Sequence, residues 1–179
     1  MTLFERIFNL LKGSGVWYEL LEHEPVYTSQ QAAAVRPDIS LHQGAKAMVL
    51  KVRSSEFIIG SKDEKPLTTN NELITNNPFV MVVLPGDIKM DYRKVAKFLG
   101  AKDVTLATPE EVEQTIGVKI GAVSPFGNLS GLAVLVDSHL LENEKIAFNA
   151  GDHGKTVIMN SSDYQILSKA QTGDFTKSL

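Results

Sequence analysis

The sequence of 179 residues contains no cysteine. This absence excludes disulfide bonds, zinc sites built from thiolates and a cysteine nucleophile supplied by the chain itself. Long apolar runs are also missing, because the longest candidate, Phe79–Leu84, is far shorter than the roughly 20 residues that a membrane-spanning helix needs. The N-terminal segment Met1–Gly13 carries Glu5, Arg6 and Lys12 and has no small-residue cleavage site after an apolar run, which is unlike a secretion signal. We therefore expect a cytoplasmic protein without a membrane partner.

An excess of positive charge is also lacking. The chain has 18 lysines and arginines against 21 aspartates and glutamates, and its formal net charge is -3. Proteins that wrap nucleic acid are usually basic, so this charge argues against a DNA-binding protein and against a general RNA-binding protein. A local basic patch for one end of a tRNA is compatible with the net charge, and so is a small-molecule substrate.

The composition is that of a globular domain, with 43% hydrophobic and 22% charged residues, and the length is enough to bury a core. Strands and short helices are intermixed, with hairpins instead of regular βαβ units. This order predicts an α+β fold, a single mixed domain with a curved, largely antiparallel, barrel-like sheet and flanking helices. Residues 1–15 are predicted as an N-terminal helix and residues 16–179 as the domain proper.

Apolar periodicity and turn residues place the individual elements. Thr2, Thr28, Thr108 and Ser162 are predicted helix caps, since each has a glutamate or glutamine three residues later. Strands are predicted at Val16–Glu22, Lys46–Arg53, Glu56–Gly60, Phe79–Leu84, Val104–Leu106, Leu132–Val136, Lys145–Asn149 and Thr156–Asn160.

Common catalytic signatures are absent from the sequence. No G-x-S-x-G motif, P-loop or G-x-G-x-x-G run occurs in the context that would make it functional. The four histidines, His23, His42, His139 and His153, are widely separated and lack the paired spacing of metal ligands. The sequence therefore predicts neither a metal site nor a cofactor.

Three segments could carry chemistry, and each also has an ordinary structural explanation. Lys46 begins an apolar strand within Gly44–Lys51. Either its apolar stem lies on the protein surface while its ammonium reaches solvent, or the ammonium binds a phosphate or carbonyl oxygen. Gly121–Gly127 is a rigid turn that could present backbone N–H groups to an oxyanion. Phe148–Thr156 places glycines and polar groups at the tip of a hairpin, where the backbone can approach a ligand closely.

Taken in this order, the segments resemble the YbaK/EbsC-like family, which includes the editing domain of many bacterial prolyl-tRNA synthetases and free-standing trans-editing proteins. The similarity spans about Val16 to Lys169. The residues that carry it are His23–Thr28, Gly44–Lys51, Lys94–Lys102, Gly121–Gly127 and Phe148–Met159.

The resemblance implies a barrel-like fold whose pocket receives the aminoacylated 3′ end of a tRNA and hydrolyses the ester. Lys46 would hold the terminal phosphate or a substrate oxygen by charge. Backbone amides of the loop from Gly121 through Ser124 would stabilise the oxyanion, with Pro125 fixing the loop. No protein nucleophile is evident, so a positioned water is expected, and His153 is a general base, a binding residue or a merely structural residue.

The pocket walls would select the amino acid by size, for a small substrate such as alanine, cysteine or serine, carried on tRNA(Pro). A difference of one methylene is worth only about 1–3 kcal/mol to such a pocket. The candidate substrate-binding residues are Tyr27, Thr28, Ala47, Pro125, Phe126, Asn149, Gly151 and Thr156.

Docking of the tRNA would need positive charge, and basic residues cluster in two places in the sequence. These clusters either contact the tRNA or are ordinary solvated surfaces. An aminoacyl-tRNA synthetase partner is left open. Two other functions compete with the deacylase: a non-catalytic module that binds tRNA or a small ligand, and an esterase for free small molecules. The clustered basic residues are Arg93, Lys94, Lys97, Lys102, Lys51, Arg53, Lys62 and Lys65.

Overall fold

The structure is a computed structural model that describes residues 1–53 and 77–178. The predicted strand Glu56–Gly60 and the basic residues Lys62 and Lys65 lie outside this part. The helices are α1 (Leu3–Ser14), α2 (Ser29–Ala34), α3 (Tyr92–Leu99), α4 (Pro109–Ile116), α5 (Ser138–Leu141) and α6 (Ser161–Ser168). The strands are β1 (Tyr18–Glu22), β2 (Ala45–Arg53), β3 (Phe79–Pro85), β4 (Asp103–Leu106), β5 (Ala133–Asp137), β6 (Lys145–Asn149), β7 (Lys155–Asn160) and β8 (Gln171–Gly173).

Most predicted helix starts are confirmed by their hydrogen bonds. Thr2 and Thr108 each form a reciprocal capping box with the glutamate three residues later. Thr28 caps α2 through the Gln31 amide, but the Gln31 side chain accepts from Tyr27 N instead of from the cap residue. The predicted cap at Ser162 is wrong, because the cap residue is Asn160, two positions earlier, and α6 begins at Ser161.

The strands form two sheets, which corrects the prediction of one barrel-like sheet. One sheet has the order β1-β7-β6 and is antiparallel throughout. The other has the order β4-β2-β3-β5-β8, in which β3–β5 and β5–β8 are parallel. Only an isolated bridge between Gly44 and Ala147 joins the sheets among the described residues. The ladder of β2 is taken up by β3 and β4, so no continuous ladder closes a barrel.

Strand β3 lies in the middle of the larger sheet, and both of its faces are buried. Met81 and Val83 belong to the core between the two sheets, which also contains Phe148. Val80 and Val82 belong to a second core, on the opposite face of the larger sheet. Burial on both sides explains why this strand reads as a continuous apolar run in the sequence.

Helix α1 packs into the core between the sheets through Leu3, Ile7 and Leu11, which are at most 5% exposed. Because these residues are four positions apart, they lie on one face of the helix. The core therefore continues across the predicted boundary between residues 1–15 and 16–179. The helix contributes to the domain instead of standing apart from it.

The short elements α5 and β8 were not predicted. Strand β8 pairs with β5, and the backbone N–H of Phe175 just after it donates to Asp137 Oδ2 at 2.7 Å. Because β8 has three residues, it carries almost no periodic signal. In the part of the chain that the structure describes, no helix has the length and apolarity needed to cross a membrane.

Candidate active site

A cavity of about 280 Å³ opens beside the start of β2. Helix α2 and the segment after it form one wall of the cavity, and β2 forms a second. The third wall consists of the start of the loop Gly121–Gly127 and the end of β6. Of the predicted site residues, the lining includes Tyr27, Thr28, Lys46, Ala47, Gly121 and Asn149. The other lining residues that bear on the chemistry are Arg36, Leu106, Ile120 and Val123.

The Gly121 backbone has a φ of +94°, in the left-handed region that favours glycine. A Cβ there would lie 3.4 Å from His153 Nε2 and 3.5 Å from the Tyr27 carbonyl oxygen. The Gly121 carbonyl accepts a hydrogen bond of 2.6 Å from Asn149 Nδ2. A glycine is therefore needed at this position, and the amide of Asn149 joins the loop to β6.

The second half of the loop is anchored in the core and lies outside the cavity lining. The Pro125 carbonyl accepts from the Tyr164 hydroxyl at 3.0 Å, and burial raises the pKa of that phenol, so it remains a donor. Phe126 is buried against the rings of Phe148 and Tyr164. Ser124 is also buried, and its Oγ has no hydrogen-bond partner. This half supports the loop from behind.

Lys46 is half-buried in the cavity wall. Its Nζ donates to the Ile88 carbonyl at 2.8 Å, which uses one of the three ammonium N–H groups. Burial lowers the pKa of Lys46, and the nearby Asp87 carboxylate opposes that shift. Asp87 is itself held by His42 Nδ1 at 2.9 Å. The cation is therefore fixed in direction but keeps donors for another group.

Tyr27 stands at the mouth of the cavity with 63% of its surface exposed. Its ring centroid lies 4.5 Å from that of His153, and the ring planes are tilted by 41°. His153 does not line the cavity, and its Nε2 is buried without a hydrogen-bond partner. Leu106 and Ile120, each 53% exposed, complete an apolar rim with Tyr27.

Two other predicted residues lie away from the cavity lining. Thr156 is fully buried, and its hydroxyl lies 2.8 Å from His23 Nε2. Gly151 has a φ of +78°, and a Cβ there would lie 3.1 Å from Leu3 Cγ. Gly151 therefore approaches α1, while Thr156 holds the segment before Tyr27 to the hairpin.

Arg36 is the cavity residue that the sequence analysis missed. It follows α2 directly before Pro37 and is only 5% exposed. Its Nη2 lies 3.5 Å from Asn149 Oδ1, which is a long contact, and its Nε is buried without a partner. Burial lowers the pKa of Arg36 to about 10, so the guanidinium remains charged near neutral pH. The only signal in the sequence was an arginine between the apolar segment Ala32–Val35 and Pro37.

Outside the cavity, several of the predicted docking residues are neutralised by carboxylates. Lys51 pairs with Glu111 at 2.6 Å, and Arg53 pairs with Asp103 at 3.1 Å. Lys94 pairs with Asp174 at 2.7 Å. Arg93, Lys97 and Lys102 make no ion pair among the described residues, so the α3 end of the patch has the more available charge.

Asp137, His139 and Asp174 place potential metal-ligand atoms within 4.8 Å of one another, away from the cavity. Asp137 already accepts from the His139 ring and from the Phe175 amide, and Asp174 pairs with Lys94. These groups are therefore engaged in holding α5 and the C-terminal segment together.

Comparison with known proteins gives a consistent match over most of the chain. Residues 23–167 match the family described as aminoacyl-tRNA editing domain. The chain is 29% identical over 174 residues to the multifunctional Ser/Thr-tRNA deacylase ProXp-y of Escherichia coli (strain K12), covering 97% of this chain and 92% of that protein. It is 22% identical over 165 residues to the prolyl-tRNA editing protein ProX of Acetoanaerobium sticklandii, covering 88% and 85%.

The crystal structure of a candidate trans-editing enzyme for prolyl-tRNA synthetase shares the fold. The TM-score is 0.76 at 19% sequence identity, and the match covers 99% of both chains. The expected family resemblance is thus confirmed, as is a mixed α+β domain.

Proposed function

Since the chain belongs to the aminoacyl-tRNA editing domain family, we propose that it is a trans-editing deacylase that hydrolyses the ester of a mischarged tRNA. The observation that carries this proposal is that Lys46, Gly121 and Asn149 line the same cavity. It combines a cation, a backbone loop suited to an oxyanion and an apolar mouth. The aminoacylated 3′ end of the tRNA is the partner that such a cavity would take.

Hydrolysis of an aminoacyl ester needs a placed water and a stabilised tetrahedral oxyanion, because the ester is already activated. Among the described residues, the Ala122 N–H is occupied by the Lys119 carbonyl at 3.1 Å. Within the described part of the chain, the amides of Gly121 and Val123 have no such partner, and both residues line the cavity, so these two amides are the candidate donors. Removal of one comparable donor elsewhere costs a factor of about 100 to 1,000 in rate.

Lys46 supplies positive charge beside this loop. Its bond to the Ile88 carbonyl fixes the direction of the ammonium, and two N–H groups remain for a phosphate or carbonyl oxygen of the substrate. His153 contacts Tyr27 and lies next to Gly121, so in this proposal it positions both residues. A role as general base would require the ring to reach the cavity.

The amino acid removed would be small. A volume of about 280 Å³ is at the lower end of the range for ligand sites, and it must also receive part of the terminal nucleoside. Alanine, cysteine and serine on tRNA(Pro) are therefore the first candidates. The name of the Escherichia coli relative adds threonine to the amino acids worth testing. Ala47 lies in the cavity wall, and a larger side chain at this position would restrict the cavity to smaller amino acids.

The apolar rim of Tyr27, Leu106 and Ile120 would receive the terminal base. Bases stack on exposed aromatic rings for about 1–3 kcal/mol each, largely irrespective of sequence. The body of the tRNA would meet the α3 end of the basic patch, where Arg93 and Lys97 are not ion-paired within the described part of the chain. Much of the recognition would thus lie at the acceptor end.

Competition with uncharged tRNA tests this proposal against an esterase for free small molecules. Hydrolysis of a mischarged tRNA should be inhibited by the matching uncharged tRNA and remain insensitive to a simple amino acid methyl ester. Binding of tRNA with no hydrolysis above the spontaneous rate would instead identify a non-catalytic binding module.

A further inference from the structure

Arg36 is a buried cation that has no counter-ion among the described residues. No carboxylate of residues 1–53 or 77–178 lies within ion-pair distance of its guanidinium. Among the described residues, its one side-chain hydrogen bond is the 3.5 Å approach of Nη2 to Asn149 Oδ1, and its Nε has no hydrogen-bond partner. Burial of an unpaired charge is unfavourable and is usually compensated by an ion pair or a bound ion.

The lining of the cavity as a whole also has an excess of positive charge. Arg36 and Lys46 are the charged side chains in its lining, and no aspartate or glutamate of the described residues contributes to it. This occurs in a chain whose formal net charge is -3. The positive charge is thus concentrated where a ligand enters, which favours an anionic ligand.

The chemistry of an aminoacyl-tRNA end limits what that anion can be. The ester is neutral, and the free α-amino group of the amino acid is neutral or positive. The phosphodiester on the 5′ side of the terminal nucleotide carries a permanent negative charge. A guanidinium offers a planar fork of donors that fits two phosphate oxygens at once.

We propose that Arg36 binds the phosphate of the terminal tRNA nucleotide inside the cavity. This inference rests on the proposed function and adds to it the group that anchors the substrate. It separates two tasks: Arg36 holds the phosphate, and Lys46 is left to act on an oxygen at the ester. The long contact between Arg36 and Asn149 then gives way to a closer contact with the phosphate.

The test compares the binding of adenosine 5′-monophosphate with that of adenosine, which mimic the terminal nucleoside with and without its phosphate. Dissociation constants are measured by NMR titration for the wild type, Arg36→Met and Arg36→Gln. Methionine keeps the apolar stem without the charge. Glutamine also keeps an N–H donor for Asn149. If Arg36 serves only to hold Asn149, the glutamine variant should therefore behave like the wild type.

The wild type should bind the monophosphate at least 10-fold more tightly than adenosine, and both variants should reduce this ratio below about 3. If one variant does not fold, the other decides. A wild-type ratio near 1, no measurable binding of either compound, or an unchanged ratio in the folded variants would overturn the assignment. Because no ester is present, hydrolysis of mischarged tRNA combined with a ratio near 1 would reject the role of Arg36 and leave the deacylase proposal standing.

Discussion

The side-chain amide of Asn149 donates a hydrogen bond of 2.6 Å to the carbonyl oxygen of Gly121. This bond ties the end of β6 to the loop that carries the candidate oxyanion donors. The Asn149 oxygen faces Arg36 on the other side. One side chain therefore couples the loop to the cation in the cavity wall.

Replacement of Asn149 should impair hydrolysis more than folding. Asn149→Ala removes the donor that holds Gly121, and Asn149→Asp replaces it with a carboxylate that repels the carbonyl. We expect kcat to fall about 10- to 100-fold, the usual scale for a misplaced catalytic group. Asn143→Ala is the matched control, because its amide caps α5 away from the cavity. An unchanged kcat in both Asn149 variants would show that the loop holds its shape without this bond.

Tyr27 should contribute to substrate binding through its exposed ring. Loss of one stacked base costs about 1–3 kcal/mol, so Tyr27→Ala should raise KM for mischarged tRNA about 5- to 150-fold. Tyr27→Phe keeps the ring and should leave KM nearly unchanged. Tyr92, another exposed tyrosine, lies outside the cavity lining, and Tyr92→Ala provides the control. Equal effects of the alanine and phenylalanine variants would point to the hydroxyl instead of stacking.

Ser124 distinguishes a water mechanism from an acyl-enzyme mechanism. Its Oγ is buried without a hydrogen-bond partner among the described residues, and Ser124 lies outside the cavity lining, so the hydroxyl is not placed to attack a substrate; its backbone amide helps to shape the loop. Ser124→Ala keeps that amide and should retain kcat within about 3-fold, far less than the loss of an oxyanion donor. A loss above 100-fold, or a covalent adduct on Ser124 detected by mass spectrometry, would identify a serine nucleophile.

The sequence predicted local features of the fold better than long-range ones. The capping boxes at Thr2 and Thr108 were predicted because the participating residues are three positions apart. The number of sheets was not, because it depends on whether β2 pairs with β4 or with β6, and both partners are distant in sequence. The isolated bridge between Gly44 and Ala147 is where a closed barrel would have continued.

The candidate site shows the same division. Lys46 and Gly121 were chosen from local motifs, and the structure brings both to one cavity. Arg36 was missed because arginine is mostly exposed in proteins, and its burial here involves Asn149, which is distant in sequence. Thr156 was placed in the cavity wall from its motif, but its strand position turns it toward His23.

His139 should make the stability of the fold depend on pH. Its hydrogen bond to the buried Asp137 raises the pKa of the imidazole above its ordinary value of about 6.5. The stabilisation is therefore complete below pH 6.5 and is lost as the pH rises through the higher folded-state pKa. His139→Gln should remove this part of the pH dependence. Urea denaturation of both proteins between pH 5 and pH 9 measures it, and identical pH profiles would contradict the prediction.

The most direct test of the deacylase function measures hydrolysis of tRNA(Pro), tRNA(Ala) and tRNA(Thr) charged with alanine, cysteine, serine, threonine or proline. The wild type is compared with Lys46→Ala and with Lys145→Ala, whose ammonium lies over Trp17 instead of in the cavity. The account predicts fast release of at least one mischarged small amino acid by the wild type and by Lys145→Ala, with a loss of about 100-fold in Lys46→Ala. Release at the spontaneous rate for every substrate would contradict it.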